Sequence, residues 1–598
     1  MSNQRQIQQT QHAFLVAWGW FAEQIGLIQA LQAVPLSQKR YSHTPQTKVV
    51  EFLVAILAGL EHLQDISLAA HPLDMDQAVA EAWGQPGWAD YSGVSRTLSS
   101  LSWSEVTALV QVLERADQPL IQAELAQLGA AQQRLQYDGD LTGLPVSSSS
   151  RSYPNAAFGH MADEIQLGYQ AAVVSLVSPT YRRLWLSAAH HPGDTVSCSQ
   201  AEALVLAAEA RTGLRPRRRT ELLRQRIEAF ERQLKPTQHR LLVQQAGVDK
   251  AGDQLTQARQ QRQQRQGILT DLEQSARLGQ GKKPSASSLA VARRRLQATE
   301  GRCRRREKLL QSAQQRLTKT QTQWVKLQAG LKQLQERLAR FERDNELNST
   351  PVEAAFRLDA GFGAYDNIAL LIELGYEVYT KAHNHRAVTF LKDRTDPQTV
   401  WTRVGANAEM TAWTALSFKH CPYPLDVGLV RFYTDQKLKH TALLHFGPDP
   451  VSHHLPDWFK HYNARQIIEA GIKEGKRVFQ LHRLKVRAEP AIYLQERLVI
   501  FAANFIRWAT HWLTTQAELS PNSLNLAKLG VKRQVQVGAH VSAQVIEDPH
   551  GKLLKFSQHS IFAGKVLKVR KVSRPVDRRS YNLMPFSNES YLIAQPLR

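Results

Sequence analysis

Apolar residues at every seventh position constrain the middle of this chain more than any other feature. One line runs Leu289, Leu296, Cys303, Leu310, Leu317, Trp324, Leu331 and Leu338, with a companion at Ala313, Thr320, Leu327, Leu334 and Phe341. A seam held at this repeat over such a length specifies helices wound around each other. Upstream, Leu223, Ile227, Phe230, Leu234, Leu241, Val248 and Leu255 alternate between heptad positions, and the breaker Leu278–Ser288 (LGQGKKPSASS) separates the two stretches. Two arms joined by one Gly/Pro/Ser turn predict an antiparallel coiled-coil hairpin over residues 215–345. Arms of about 55 residues would reach on the order of 80 Å. Pairing with a second copy of the chain is the alternative. The runs Arg215–Arg219 and Arg302–Arg306 read first as solvated faces of the coil and second as DNA contacts.

The hairpin interrupts a chain of different texture. Residues 1–130 show helical spacing with breaks near Pro35, Pro45, Pro72 and Pro86. Within them, Tyr91–Leu101 followed by Trp103–Leu109 has the outline of a helix-turn-helix, so a helical DNA-binding domain is expected. From Arg134 the period changes to two. Arg134–Val146 (RLQYDGDLTGLPV) reads as a strand with Asp138 and Asp140 on one face. Gly168–Val177 and Tyr181–Ala189 read as further strands, and Ser199–Ala210 as an amphipathic helix. Three strands and a helix, with acids on the first strand, form the opening of an RNase H-like domain.

After the hairpin, Ala354–Tyr365 returns to strand chemistry, with Asp359 at the tip before Gly361 and Gly363. Open α/β sheets place reactive groups at such tips. A helix over Asn367–Leu374 and a strand over Glu377–Lys381 follow. Residues 386–455 look β-rich, with strands at Leu429–Tyr433 and Leu443–Phe446. Leu498–Leu513 reads as a buried helix carrying Arg507 and His511, and the basic end as strand-like at Val535–Val541 and Ile561–Val572. The expected architecture is α/β: an RNase H-like core (131–214, 346–385 and 456–515), a β-rich insertion (386–455), the coiled-coil insertion, the helical N-terminal domain and a basic C-terminal region (516–598).

Charge narrows the partners. Lys and Arg number 75 against 53 Asp and Glu, a net +22 in 598 residues. A chain this basic calls for a polyanion, with nucleic acid the default. Its charge is spread out and not gathered in one juxtamembrane cluster. The longest apolar run, Val49–Leu60, is too short to span a bilayer and contains Glu51. Met1–His12 is Gln-rich without an apolar core, so no secretory signal is expected. Cys198, Cys303 and Cys421 lie far apart, which fits a reducing cytoplasm and argues against disulfide or zinc frameworks.

One further stretch, His461–Lys476 (HYNARQIIEAGIKEGK), carries Tyr462, Arg465, Glu469 and Lys476 at gaps of two, three and six residues. Read as one helix, it turns these four side chains the same way. Together with Asp359 and either Asp138 or Asp140, Glu469 completes a hard-oxygen set suited to Mg²⁺ or Mn²⁺. Two such ions suit in-line phosphodiester displacement. The tripeptide His383-Asn384-His385 spells HNH but lacks the spacing of the nucleases of that name.

The Y-x2-R-x3-E-x6-K series resembles that of bacterial insertion-sequence DDE transposases of the hairpin-forming, cut-and-paste group. Phe356–Asn367 (FRLDAGFGAYDN) is similar to the family's second-aspartate motif, Asp140–Thr142 (DLT) to its Asp-x-Thr first motif, and His191–Thr195 (HPGDT) to its turn before the first core helix. The likeness covers roughly 134–210 and 350–515. It implies that Asp140, Asp359 and Glu469 are catalytic and hold two Mg²⁺ or Mn²⁺ ions, with Asp138 as the alternative to Asp140. It implies that Tyr462, Arg465 and Lys476 hold transposon-end DNA, and that the family's β-strand insertion occupies 386–455. The implied activity is binding of terminal inverted repeats, cleavage, and joining of the ends to target double-stranded DNA. A homodimer in the synaptic complex and a cytoplasmic, nucleoid-associated location follow. A catalytically idle DNA-binding protein and an RNase H-like DNA nuclease are the competing expectations.

Overall fold

The computed structural model describes residues 6–38, 42–147, 152–161, 164–278, 284–434, 437–516, 522–548 and 551–570. It is a mixed α/β structure in two compact units. The first comprises 1–216, 351–372 and 376–598, and the second 217–350 with 373–375.

The first unit opens with strand β1 (Gln6–Thr10) and a set of helices that includes Ala13–Gln24, Pro45–Leu57, Tyr91–Ser99 and Trp103–Ala130. Local chemistry sets their starts. Thr44 caps the helix that Pro45 begins, and Ser102 with Glu105 forms a reciprocal capping box for the long helix. The sequence-expected helical segment is therefore present, with its short and long helices joined at Ser100–Ser102.

Strands β2 (Leu135–Pro145), β3 (Ala157–Met161), β4 (Glu164–Ser178) and β5 (Arg182–Pro192) follow, then the helix Ala201–Thr212. After the second unit come β6 (Ala354–Arg357), the helix Tyr365–Glu373 and β7 (Glu377–Lys381). Next are β8 (Thr402–Arg403), β9 (Ala408–Leu416), β10 (Leu425–Thr434) and β11 (Lys437–Phe446). These strands form one sheet in the order β3-β4-β2-β6-β7-β11-β10-β9-β8, with β5 also on β4. The three strands β2, β6 and β7 run parallel, while β4 and β11 flank them antiparallel. Strand β4 carries a continuous apolar run, Ala171–Val174, because both of its faces are covered. The β-rich segment 386–455 thus extends the central sheet through the pairing of β11 with β7.

The helix Leu455–Asn463 packs on this sheet: Leu455, Trp458 and Tyr462 share a buried cluster with Ala355, Tyr379, Met410, Val430 and Leu443. The helix Glu489–Gln516 covers the expected buried segment. Its Phe501, Phe505 and Leu513 join one large core with Phe21, Trp83 and Leu109 of the N-terminal helices. Strands β12 (Ala543–Asp548), β13 (Gly551–Phe556) and β14 (Val566–Arg570) form a second sheet with β1. The strand expected at Val535–Val541 is not one. Val531–Gln536 is helical and Gly538–His540 a 3₁₀ turn, with Val535 and Ala539 buried at one-turn spacing in the core. Only Val566–Arg570 of the run expected at Ile561–Val572 pairs as a strand, and its last two residues lie outside the described residues.

The second unit is the expected hairpin, made of Thr220–Leu278 and Ala286–Leu347. Of the joining turn expected within Leu278–Ser288, residues 279–283 lie outside the described residues. At 59 and 62 residues, the helices are longer than the heptad seam alone suggests, about 90 Å at 1.5 Å per residue. Leu223, Ile227, Leu255, Cys303, Leu317, Leu334 and Phe341 are buried between them. Three cross-arm ion pairs, Arg224–Glu342, Arg259–Glu307 and Arg293–Glu273, are each centred on position 283, so one antiparallel register holds along the arm. The arms pair within one chain.

Candidate active site

The parallel trio β2, β6 and β7 delivers polar residues to one sheet edge. Asp140 lies on β2 beyond the last residue paired with β6, and Asp359 follows the end of β6. Parallel strands leave a crevice outside their carboxyl ends, where side chains from different strands converge. The Asp140 Oδ1 accepts the Leu141 backbone N–H at 2.8 Å. The Asp359 carbonyl accepts from the Thr380 hydroxyl at 3.0 Å, while its carboxylate Oδ1 is buried without a hydrogen-bond partner.

The stretch read as one helix is two. Leu455–Asn463 ends before Ala464, and Arg465 is the N-cap of Gln466–Arg477. The break changes the roles. Tyr462 does not share a surface with the other three: its ring is buried and its hydroxyl donates to the Leu358 carbonyl at 3.2 Å. Arg465 sits at the corner and reaches both ways. Its Nη1 donates to Asp140 Oδ2 at 3.2 Å and its Nη2 to Glu469 Oε1 at 2.6 Å. The Glu469 side chain is 42% exposed, against 13% for Asp140 and 11% for Arg465. Glu469 is the open side of the cluster.

Electrostatics follow from this placement. Burial pushes Asp140 up to about 6, with Arg465 opposing and Asp359 adding to the rise. Burial works against the Arg465 charge too, but Asp140, Tyr462, Asp359 and Glu469 more than offset it and hold its pKa above the ordinary value. Lys476 is pushed down by burial with Asp140 pulling the other way. Lys381, at the end of β7, is pushed down by burial and by Arg465, while Glu469 and Asp359 oppose the shift. Three acids and three cations thus meet in one recess. Among the described residues, no three His, Cys, Asp or Glu side chains stand close enough to share one metal ion. The Arg465 guanidinium lies between Asp140 and Glu469.

Asp138, two residues before Asp140, has a different life. It is fully buried, and Arg357 clamps both of its oxygens at 2.6 and 2.8 Å. The same Arg357 donates to the His461 carbonyl at 2.9 Å. One guanidinium therefore ties β2 and β6 to the end of the helix that leads into Arg465.

A second anchor fixes the Glu469 helix from behind. Glu474 accepts from Arg183 at 3.1 Å and from Arg507 at 2.8 and 2.9 Å, and Arg183 also donates to the Ile467 carbonyl at 3.0 Å. Gly471 allows the close approach, since a Cβ there would stand 2.4 Å from the Arg183 Nε and 2.6 Å from the Trp185 ring. Sequence reasoning missed Arg357, Arg183, Glu474 and Lys381. Lys381 had one available signal, its position at the carboxyl end of a strand beside Asp359. The tripeptide at 383–385 is a helix start, with Asn384 accepting the Arg386 N–H at 2.8 Å. Neither the protein-family models nor the curated proteins yield a match to this chain.

Proposed function

We propose that this chain is a DDE transposase with an RNase H-like core, cutting double-stranded DNA at transposon ends and joining the ends to a target. One observation carries the reading. Asp140, Asp359 and Glu469, drawn from segments more than a hundred residues apart, meet at the carboxyl edge of parallel strands alongside Arg465, Lys381 and Lys476. The strand order supports the fold assignment: β5-β4-β2-β6-β7 is an antiparallel meander followed by two parallel strands.

The donor set fits a hard divalent cation. Asp359 presents a buried oxygen with no partner, and two further carboxylates share one monovalent guanidinium. Asp140, Asp359 and Glu469 would hold Mg²⁺ or Mn²⁺ once the Arg465 guanidinium withdraws from between Asp140 and Glu469 and lets the carboxylates close up; Asp138 would not, because Arg357 already takes both of its oxygens. When bound, such ions polarise the phosphodiester and activate the attacking oxygen. The chain's own part is electrostatic. Lys381 and Lys476 offer point charges to a DNA phosphate, and Arg465, once released from the carboxylates, offers a planar fork that matches phosphate oxygens. Tyr462 works from behind, fixing the backbone at Leu358 next to Asp359.

The test uses a plasmid carrying the DNA that flanks the gene, incubated with the full chain and Mn²⁺. Cleavage and joined products are expected from the native chain. Glu469→Gln should lower cleavage by about 10³-fold, near 4 kcal/mol of barrier, with DNA binding kept. Undiminished cleavage by that variant overturns the assignment, and cleavage that never gives joined products identifies a nuclease.

A further inference from the structure

The hairpin divides into two electrostatic halves that the heptad pattern does not distinguish. Near its base, Leu331–Leu347 holds four Lys and Arg against four Asp and Glu. Charges at the base are paired off: Lys332 faces Glu336, Arg337 and, from the other arm, Arg226 converge on the fully buried Glu373 at 2.9 and 2.6 Å, and Arg218 meets Asp344 at 3.0 Å. Farther out on the same helix, Arg293–Lys308 holds eight cations, seven of them Arg, against Glu300 and Glu307 alone. Glu307 already serves Arg259 across the arm, and Arg293 is paired with Glu273. Arg294, Arg295, Arg304 and Arg305 are exposed and make no ion pair among the described residues.

Such a run works against its own helix. Like charges within one turn repel, and an exposed coil is ordinarily laced with opposite charges at three- and four-residue spacing, as the base is. Arg294 and Arg305 are eleven residues apart, three turns, and so share a face about 16 Å apart along the axis. Guanidinium groups at intervals along a rigid rod suit a partner with many regularly spaced anionic oxygens. We propose that the outer half of the hairpin is an arm that binds the backbone of duplex DNA without reading its sequence. Only the choice of DNA as the polyanion rests on the function proposed above.

The experiment removes catalysis from the question. The full chain carrying Glu469→Gln, without metal, is titrated with labelled duplexes of unrelated sequences over a range of salt. It is compared with the same chain carrying Arg294→Gln, Arg295→Gln, Arg304→Gln and Arg305→Gln together. Each phosphate contact contributes about 0.9 to the slope of log affinity against log salt. The fourfold variant should therefore show a slope shallower by about 2 to 4, equally for every sequence, and at least a tenfold loss of affinity at low salt. Lys at the same four positions should restore most of the slope, and unchanged thermal melting shows that the coil is intact. Unchanged slope and affinity overturn the proposal. So does a loss confined to single-stranded RNA or to anionic phospholipid vesicles. Because no cleavage is read, the slope change together with a native chain that fails to cut in the plasmid assay refutes the proposed activity and leaves the arm standing.

Discussion

The recess at the sheet edge and the outer hairpin hold the same kind of charge in opposite states. In the recess every cation has a price, since Lys381 and Lys476 are pushed down by burial and Arg465 keeps its charge only through the acids around it. On the hairpin Arg294, Arg295, Arg304 and Arg305 are exposed and make no ion pair among the described residues. Buried charges are sensitive to geometry and little affected by salt; exposed ones are the reverse. A site that performs chemistry on one phosphate needs the first arrangement, and a surface that holds many phosphates needs only the second.

Substitutions that break this contrast should rank accordingly. The largest effect on folding belongs to Arg357→Ala, which leaves Asp138 buried without its clamp. A loss of about 3–5 kcal/mol is expected in urea unfolding, and a loss under 1 kcal/mol would show that Asp138 relaxes into water. Next comes the pH dependence of Asp140. Its folded value of about 6 lies above the ordinary aspartate value of 3.8, so the folded state keeps a proton that the unfolded state releases. Its contribution is therefore full below about pH 4 and falls as pH rises to about 6, by about 2–3 kcal/mol. In metal-free buffer, Asp140→Asn should flatten that part of the profile; an identical profile in the variant would refute the burial-driven shift.

A smaller effect sharpens the role of Arg465. Because its guanidinium occupies the oxygens of Asp140 and Glu469, Arg465→Ala should tighten Mn²⁺ binding several-fold in calorimetry at pH 8 while weakening binding of end DNA. Weaker Mn²⁺ binding would make Arg465 a scaffold for the carboxylates instead of their competitor. The smallest effect belongs to the hairpin, where Gln at all four exposed arginines should change stability by no more than about 0.5 kcal/mol per site. A larger drop would mean that these side chains pack.

What was legible in the sequence divides along the same physical line. The coil was legible because its seam repeats every seven residues and each residue's neighbours are local or periodic. The strand bearing Asp140 and the strand end leading to Asp359 were legible because alternation and a glycine turn are local signals. The helix break at Ala464 was not: Ile467, Ile468 and Ile472 suggest a continuous apolar stripe, while the His461 carbonyl at the break accepts from Arg357, 104 residues away. The Arg357–Asp138 clamp spans 219 residues and the Arg183–Glu474 anchor 291, with no periodic trace of either. Val535–Val541 was misread because a buried short helix and a buried strand are both simply apolar over so few residues. Residue types declare which groups are present; which acid is spent on structure and which stays available is decided by partners far along the chain.

The shared centre of the three cross-arm ion pairs has a consequence for length. Since every pair mirrors about the same position, removing seven residues from each arm at matching heights returns all remaining partners to their places. The hairpin is in effect a ruler with divisions of about 10 Å. It can be shortened or extended by whole heptads without altering its ends, so that any task depending on its reach can be separated from any task depending on its charge.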